Sequence, residues 1–411
     1  MSEPRATTAR AVRTDQVADR WLWLLTFALV GCGLIMVFSA SQALAYVEHG
    51  FTLYYFLRQA LFAGLGLIAM VVLARYDYHR LRNHAPLLAA AAALLMLLVL
   101  VPGLGISVNG ARRWFSLGPL SAFQPSELGK LAFAVYLAHW VSKRGDRLRS
   151  LADGFAPLAI MLAFVLGVLM LQRDLGTAMI TCSIFIAVYF AGGGRTGHLL
   201  LLVALLLAAF LLLITFESYR SQRLGAFLDP FKDPLGVGFQ SSQGLLALGS
   251  GGLTGVGLGH SIQKYSWLPA AHTDFIFAIV GEETGLLGTT ALLGVFTLLG
   301  IRGYRVAMRA ADRFGMALAT GITTWIVFQA LLNMGTVTDT IPVTGVPLPF
   351  ISYGGSALAI CMAAIGVLLN ISRQGSDQPH LRRRLDATLD LGRRHRRSPV
   401  PGARRRSSVP R

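Results

Sequence analysis

Residues 272–300 read HTDFIFAIVGEETGLLGTTALLGVFTLLG. A polar loop gives way at Phe275 to an apolar run of membrane length, since about 20 helical residues cross the hydrocarbon core. Blocks of this kind recur at 21–46, 55–75, 86–102, 125–141, 154–171, 174–191, 197–218, 273–300, 314–336 and 353–372. The composition agrees: 54% of the 411 residues are hydrophobic and 14% charged, with a mean hydropathy of +0.58. A soluble chain carries about 25% charged residues. The blocks predict an all-α, polytopic membrane protein with about ten transmembrane helices. Residues 1–20 are polar and basic, with no small-residue cleavage site after a short apolar stretch, so the first block reads as a retained span. Cys32, Cys182 and Cys361 fall inside apolar blocks and read as buried free thiols, not as a disulfide framework or metal site.

An even number of spans puts both termini on one side, and charge selects that side. The segments grouped with the termini (1–20, 75–85, 142–153, 192–196, 301–313 and 373–411) hold 28 of the 37 Lys and Arg residues, while acidic residues divide evenly. Basic residues near span ends stay cytoplasmic, so both termini are expected in the cytoplasm. The net charge of +17 is then a topology signal and a tail effect. It does not argue for nucleic acid, because no soluble basic domain presents it. The chain divides into an N-terminal tail (1–20), a ten-span domain (21–372) and a basic tail (373–411). That tail alternates Arg runs with Pro, Gly and Ser, and reads as disordered or as binding anionic lipid headgroups or an acidic cytoplasmic partner.

This topology puts three loops on the outer face. The longest, 219–272, lies between the seventh and eighth spans. Its Phe227, Phe231, Phe239, Tyr265 and Trp267 argue for an ordered segment lying in the membrane interface. The loop 103–124 contains Asn109-Gly110-Ala111-Arg112-Arg113-Trp114. In the third, 337–352, Pro342, Pro347 and Pro349 exclude a regular helix, so its backbone must line a cavity or pack on protein. The glycine-rich stretch 249–259 lacks the Gly-Lys-Ser/Thr ending of a phosphate loop. It reads instead as a place where backbones approach closely.

Asp274 stands where the long loop enters the eighth span. An acid there faces protein or water, and such acids are functional candidates. Capping of the helix by Thr273 or Asp274 is the plain alternative. Glu282 and Glu283 lie roughly 12–14 Å deeper at 1.5 Å per residue and call for structural pairing inside the bundle or for an ion path. Glu127 and Lys130 share a helix face. They form either a buried ion pair or, with Arg112 and Arg113, part of a site for an anionic substrate. Arg173-Asp174 carries the same ambiguity. Arg220, Arg223 and Lys264 flank the long loop as further outer-face cations.

At this point the chain resembles the SEDS family (shape, elongation, division and sporulation) of bacterial membrane proteins, over about residues 21–372. The carrying motifs are Asn109–Trp114, Gln124-Pro125-Ser126-Glu127-Leu128-Gly129-Lys130, Gln172-Arg173-Asp174-Leu175-Gly176-Thr177-Ala178, His272-Thr273-Asp274-Phe275-Ile276-Phe277-Ala278 and Pro347-Leu348-Pro349-Phe350-Ile351-Ser352-Tyr353-Gly354-Gly355-Ser356. Residues 226–230 and 258–265 resemble the cell-division branch more than the elongation branch. The chain departs from the family pattern at Ala270, where an acid is usual, at Gly255-Val256-Gly257, and at Thr338-Asp339-Thr340.

The resemblance implies polymerisation of lipid II into peptidoglycan glycan strands, with release of undecaprenyl pyrophosphate. It maps the catalytic aspartate onto Asp274, as general base. It suggests substrate contacts at Arg112, Trp114, Glu127, Lys130, Arg223, Lys264, His272 and Ser352, and structural ion pairs among Arg173, Asp174, Glu282 and Glu283. No tightly bound cofactor is implied; developing charge would be met by cations or by a divalent ion, Mg or Mn. Expected partners are lipid II and the lipid-linked strand, a class B penicillin-binding protein, other division proteins and membrane lipids, but no nucleic acid. The expected location is the bacterial plasma (inner) membrane, enriched at the septum. A lipid II flippase and a non-catalytic scaffold of the division machinery remain as alternatives.

Overall fold

The computed structural model describes residues 18–108, 110–116, 118, 122–216, 225, 227, 229–233, 236, 238–265 and 267–375. Arg220, Arg223 and most of both expected tails lie outside the described residues. The helices are α1 (Arg20–His49), α2 (Tyr54–Arg75), α3 (Tyr78–Leu98), α4 (Pro125–Arg144), α5 (Ala156–Leu171), α6 (Leu175–Ala191), α7 (Thr196–Phe216), α8 (Phe239–Gly251), α9 (Ile276–Met308), α10 (Arg313–Val337) and α11 (Gly355–Gly375). Each of the ten apolar blocks corresponds to one helix, and α8 is additional. Among the described residues seven helices are long and apolar enough to cross a membrane: α1, α2, α3, α5 with the turn before it, α9, α10 and α11. The apolar helices Leu175–Ala191 and Thr196–Ala209 are shorter.

The core lies around α10 and α11, whose apolar windows are 67% and 72% buried, against 22% and 17% for α2 and α3. Polar contacts gather one set of helix ends. The Asp19 amide donates to Ser372 Oγ at 3.1 Å, the Tyr78 hydroxyl to Asp312 at 2.8 Å, and the Tyr78 amide to Asn370 at 3.1 Å. Arg302 reaches Asp19 at 3.7 Å. The starts of α1, α3 and α10 and the ends of α9 and α11 therefore share one end of the bundle. Asp274 belongs to the other.

Three features differ from the sequence expectation. First, α3 begins at Tyr78, not at 86, because Asp77 caps it by accepting from the His79 amide at 3.0 Å. Hydropathy marks where a span becomes apolar, whereas the cap marks where the helix starts. Second, the otherwise all-α fold carries a small antiparallel sheet, β1 (Gly105–Val108), β2 (Ala111–Ser116) and β3 (Ala122–Phe123), in that order. Gly110 (φ 74°) lies in the turn that pairs Val108 with Ala111, a short hairpin that a search for long apolar runs passes over.

Third, the long loop does not stay at the surface. The helix α9 breaks at Gly285 (φ 67°, ψ −166°), roughly 14 Å along from Ile276 at 1.5 Å per residue. The segment after α8 fills the break. The Val256 and Gly257 amides donate to the Glu282 and Glu283 carbonyls at 3.0 and 3.1 Å, and the Leu286 and Leu287 amides donate to Gly252 and Leu253 at 2.9 and 3.1 Å. Gly251 and Gly255 permit this approach: a Cβ at either would lie 2.0–2.1 Å from the carbonyls of Gly281 and Glu283. Broken backbone at membrane depth is tolerated because protein groups take up the freed hydrogen bonds. The segment 239–265 is thus re-entrant beside the first half of α9.

Candidate active site

Asp274 lies in a turn, not in the helix. The Thr273 and Phe275 amides both donate to the Ala270 carbonyl, at 3.0 and 3.2 Å, and this turn delays α9 to Ile276. The N-cap position falls on Phe275, with no side-chain cap. The expectation that Thr273 or Asp274 caps the helix is therefore corrected.

The main chain of the Asp274 turn is clamped. Three successive carbonyls are each taken by a different donor: His272 by the Tyr353 amide at 2.9 Å, Thr273 by Ser352 Oγ at 2.6 Å, and Asp274 by Asn333 Nδ2 at 2.7 Å. Asn333, on α10, also donates to Val346 at 2.8 Å, and Ser352 Oγ accepts from the Leu348 amide at 2.7 Å. Two side chains thus bolt the Asp274 turn to the proline-rich loop 338–354. The Asp274 side chain is half-buried, and a Cβ built on Gly345 (φ +69°) would sit 3.5 Å from Asp274 Oδ2. The carboxylate therefore rests against a bare stretch of that loop's backbone.

A second chain of contacts supports the loop from below. Lys130 Nζ donates to Glu127 at 2.8 Å and to Gln329 Oε1 at 2.8 Å; Gln329 Nε2 donates to the Pro347 carbonyl at 2.9 Å. Trp325 Nε1 completes Gln329 at 2.9 Å. The Lys130 side chain is 0% exposed. Of the two readings held for Glu127 and Lys130, this conformation presents the buried ion pair, which fixes the Asp274 loop at one remove.

Lys264, expected as a substrate cation, is an internal cation in this conformation. Its side chain is 0% exposed and its Nζ lies 3.4 Å from Glu283, 3.4 Å from Ser39 Oγ and 2.5 Å from the Gly259 carbonyl. Glu283 also accepts from Ser39 at 2.5 Å. Glu282 accepts from the Ser261 hydroxyl and from the Ile262 amide at 2.9 Å. Both carboxylates anchor the re-entrant segment, the structural pairing reading of the sequence. Ser352, expected at the substrate, is spent on Thr273 and Leu348. Asp174 has a different partner from the one expected: Arg113 at 3.9 Å, not Arg173. It also caps α6 through the Thr177 amide at 3.2 Å and accepts from Gln124 at 3.1 Å.

Arg112 and Trp114 stand half-exposed on β2, with Arg112 donating to the Leu100 carbonyl at 3.5 Å. His272 remains beside Asp274, its ring 5.0 Å from Tyr55 and 5.6 Å from Tyr353. Burial pulls its pKa down to about 4, so at neutral pH it is an uncharged imidazole. Asn333, Gln329, Gly345, Tyr55 and Tyr353 were not singled out from the sequence as site residues. Asn333 and Gln329 carried a usable signal, as buried-span amides that need partners.

Two cavities lie between described residues. One, of about 10 Å³, sits under Pro347–Ser352 and has room for about one water. The other, of about 300 Å³, is an apolar groove between α9 and α10 (Leu293, Phe296, Leu331, Met334).

The FtsW/RodA/SpoVE family, described as "Cell cycle protein", matches residues 20–377. The chain is 42% identical over 361 residues to a "Probable peptidoglycan glycosyltransferase FtsW" of Geobacter metallireducens, covering 88% of this chain and 96% of that one. It is 42% identical over 355 residues to "Stage V sporulation protein E" of Bacillus subtilis, covering 86% and 97%. Among solved structures it is similar to a chain of a peptidoglycan synthase complex described as coordinating polymerization and crosslinking (TM-score 0.72, 31% identity, 88% and 99% covered). It is also similar to the rod shape determining protein RodA of Thermus thermophilus (TM-score 0.65, 31% identity, 88% and 98% covered).

Proposed function

Since this chain belongs to the FtsW/RodA/SpoVE family of cell cycle proteins, we propose that it is a peptidoglycan glycosyltransferase that polymerises lipid II during septal wall synthesis. The observation that carries this reading is Asp274: a half-buried carboxylate on a turn whose three carbonyls are individually held. Such a base is oriented before substrate arrives, which is where catalytic advantage comes from.

In the proposed reaction Asp274 takes the proton of the acceptor sugar hydroxyl. The oxygen attacks the anomeric carbon of the lipid-linked strand, and the bond to undecaprenyl pyrophosphate breaks with inversion. No second carboxylic acid is needed, because pyrophosphate leaves without protonation, unlike the leaving group in glycoside hydrolysis. Charge on the leaving group falls to the half-exposed cations, Arg112 and Arg113 among the described residues, and to Arg223. A divalent ion, Mg or Mn, bound to the pyrophosphate oxygens would share that charge. The reading includes a class B penicillin-binding protein as partner, a place in the bacterial inner membrane at the septum, and cytoplasmic termini.

The test uses the purified full chain with its penicillin-binding partner in lipid II proteoliposomes. Asp274→Ala is expected to cut polymer formation at least a hundredfold, within the range for loss of a general base, with melting temperature and partner capture unchanged. Polymer at the wild-type rate would refute the assignment.

A further inference from the structure

Beside Asp274 lies a group of rings that the proposed chemistry does not use. Tyr55 and Tyr353 are 5.0 Å apart at 83°, Tyr55 and His272 are 5.0 Å apart at 41°, and His272 and Tyr353 are 5.6 Å apart at 48°. The three come from three places: α2, the Asp274 turn and the loop before α11. Tyr55 and Tyr353 pack on the core, and each of the three rings keeps a minor part of its surface exposed.

The group is held rigidly. Tyr55 and Gln59 stand four residues apart on one face of α2. Gln59 Nε2 donates to the Ser352 carbonyl at 3.0 Å, and its Oε1 accepts from the Gly354 amide at 3.2 Å. The residues on both sides of Tyr353 are thus fixed by the helix that carries Tyr55. The Tyr353 amide is itself bonded to His272. The Tyr55 hydroxyl donates to Glu48 and its ring also meets Tyr54 at 5.3 Å and His49 at 5.8 Å, while Arg58 hydrogen-bonds the Tyr353 hydroxyl, so the rings are edged by polar groups.

We propose that Tyr55, His272 and Tyr353 form a sugar-binding platform that stacks an N-acetylhexosamine ring of the acceptor and delivers its hydroxyl to Asp274. The identity of the sugar rests on the glycosyltransferase reading. The chemistry fits a neutral pyranose: one face of such a ring is apolar C–H and packs on aromatic faces, while its hydroxyls meet polar edges. An uncharged His272 suits a neutral ligand and places no cation two residues from the base.

The experiment is saturation-transfer NMR on the full chain in detergent, with chitobiose as probe, for wild type, Tyr55→Phe, Tyr55→Leu and Tyr353→Leu. Transfer to the sugar is expected in wild type and Tyr55→Phe, and at least a fivefold loss in both leucine variants. In the lipid II assay the leucine variants should raise KM about tenfold, the scale of one aromatic contact, with kcat little changed. Absence of transfer in wild type, or undiminished transfer in the leucine variants, overturns the platform. Should a leucine variant melt early, fluorotyrosine at 55 and 353 in the otherwise native chain decides: chitobiose must shift both fluorine resonances, and no shift overturns the proposal. Transfer without polymer synthesis by the wild type would sink the glycosyltransferase reading and leave the platform standing; polymer without transfer would do the reverse.

Discussion

Removal of the Lys264 ammonium separates a substrate cation from an internal counterion. The Lys264 and Glu283 side chains are both 0% exposed and lie 3.4 Å apart. In Lys264→Met the Glu283 carboxylate stays buried without its cation. Breaking one partner of a buried pair costs about 3–5 kcal/mol. Glu283 retains Ser39 Oγ at 2.5 Å and the Ser261 amide at 3.4 Å, so the lower end, about 3 kcal/mol, is expected. At about 2 °C per kcal/mol for a large domain, the melting temperature in detergent should fall by roughly 6 °C. The double variant Lys264→Met/Glu283→Gln removes both charges, and replacing a buried pair by neutral groups is often close to neutral. It should therefore melt within about 2 °C of wild type and regain polymerisation. The assay is differential scanning fluorimetry of the three proteins, followed by lipid II polymerisation at a temperature where all are folded. A double variant that melts like wild type yet makes no polymer would refute the counterion role and restore Lys264 to the substrate.

Two further outcomes follow from the same geometry. Asn333→Leu keeps the side-chain volume but leaves the Asp274 and Val346 carbonyls unsatisfied, each about 1–3 kcal/mol when buried; kcat for polymerisation should fall at least tenfold with KM unchanged, and an unaltered kcat would show that the clamp does not position the base. His272 has a folded-state pKa of about 4, below its ordinary 6.5, so the folded state binds fewer protons than the unfolded state between those values. Stability is then complete above about 6.5 and declines as pH falls toward 4. Ring carbon NMR of labelled histidine should show no titration of His272 between pH 5.5 and 8, and a midpoint near 6.5 would contradict its burial.

Much of the molecule is legible in the chain. Membrane blocks are a one-dimensional property: apolar length alone decides whether a helix can cross, so all ten blocks reappear as helices. Asp274 and His272 could also be read early, because an acid at the mouth of an apolar run must be accounted for wherever the helices go. The pairings could not. Lys264 and Glu283 are 19 residues apart, Lys130 and Gln329 are 199 apart, and nothing local couples them. From composition alone each lysine is as good a substrate cation as an internal one. The choice is made by burial, which turns an ammonium into a bolt for the nearest carboxylate or amide.

The chain by itself determined the membrane class, a helix over each of the ten apolar blocks and the acid at the mouth of one of them, because hydropathy acts over a few tens of residues. Only the tertiary structure decided that α9 breaks at Gly285 and that residues 239–265 fold back to repair it, since those hydrogen bonds come from a segment some thirty residues upstream. It decided likewise that Asp274 is held by Asn333 and Ser352 and not by a helix cap. A buried polar group must find its partner in space, and that partner need not be near it in sequence.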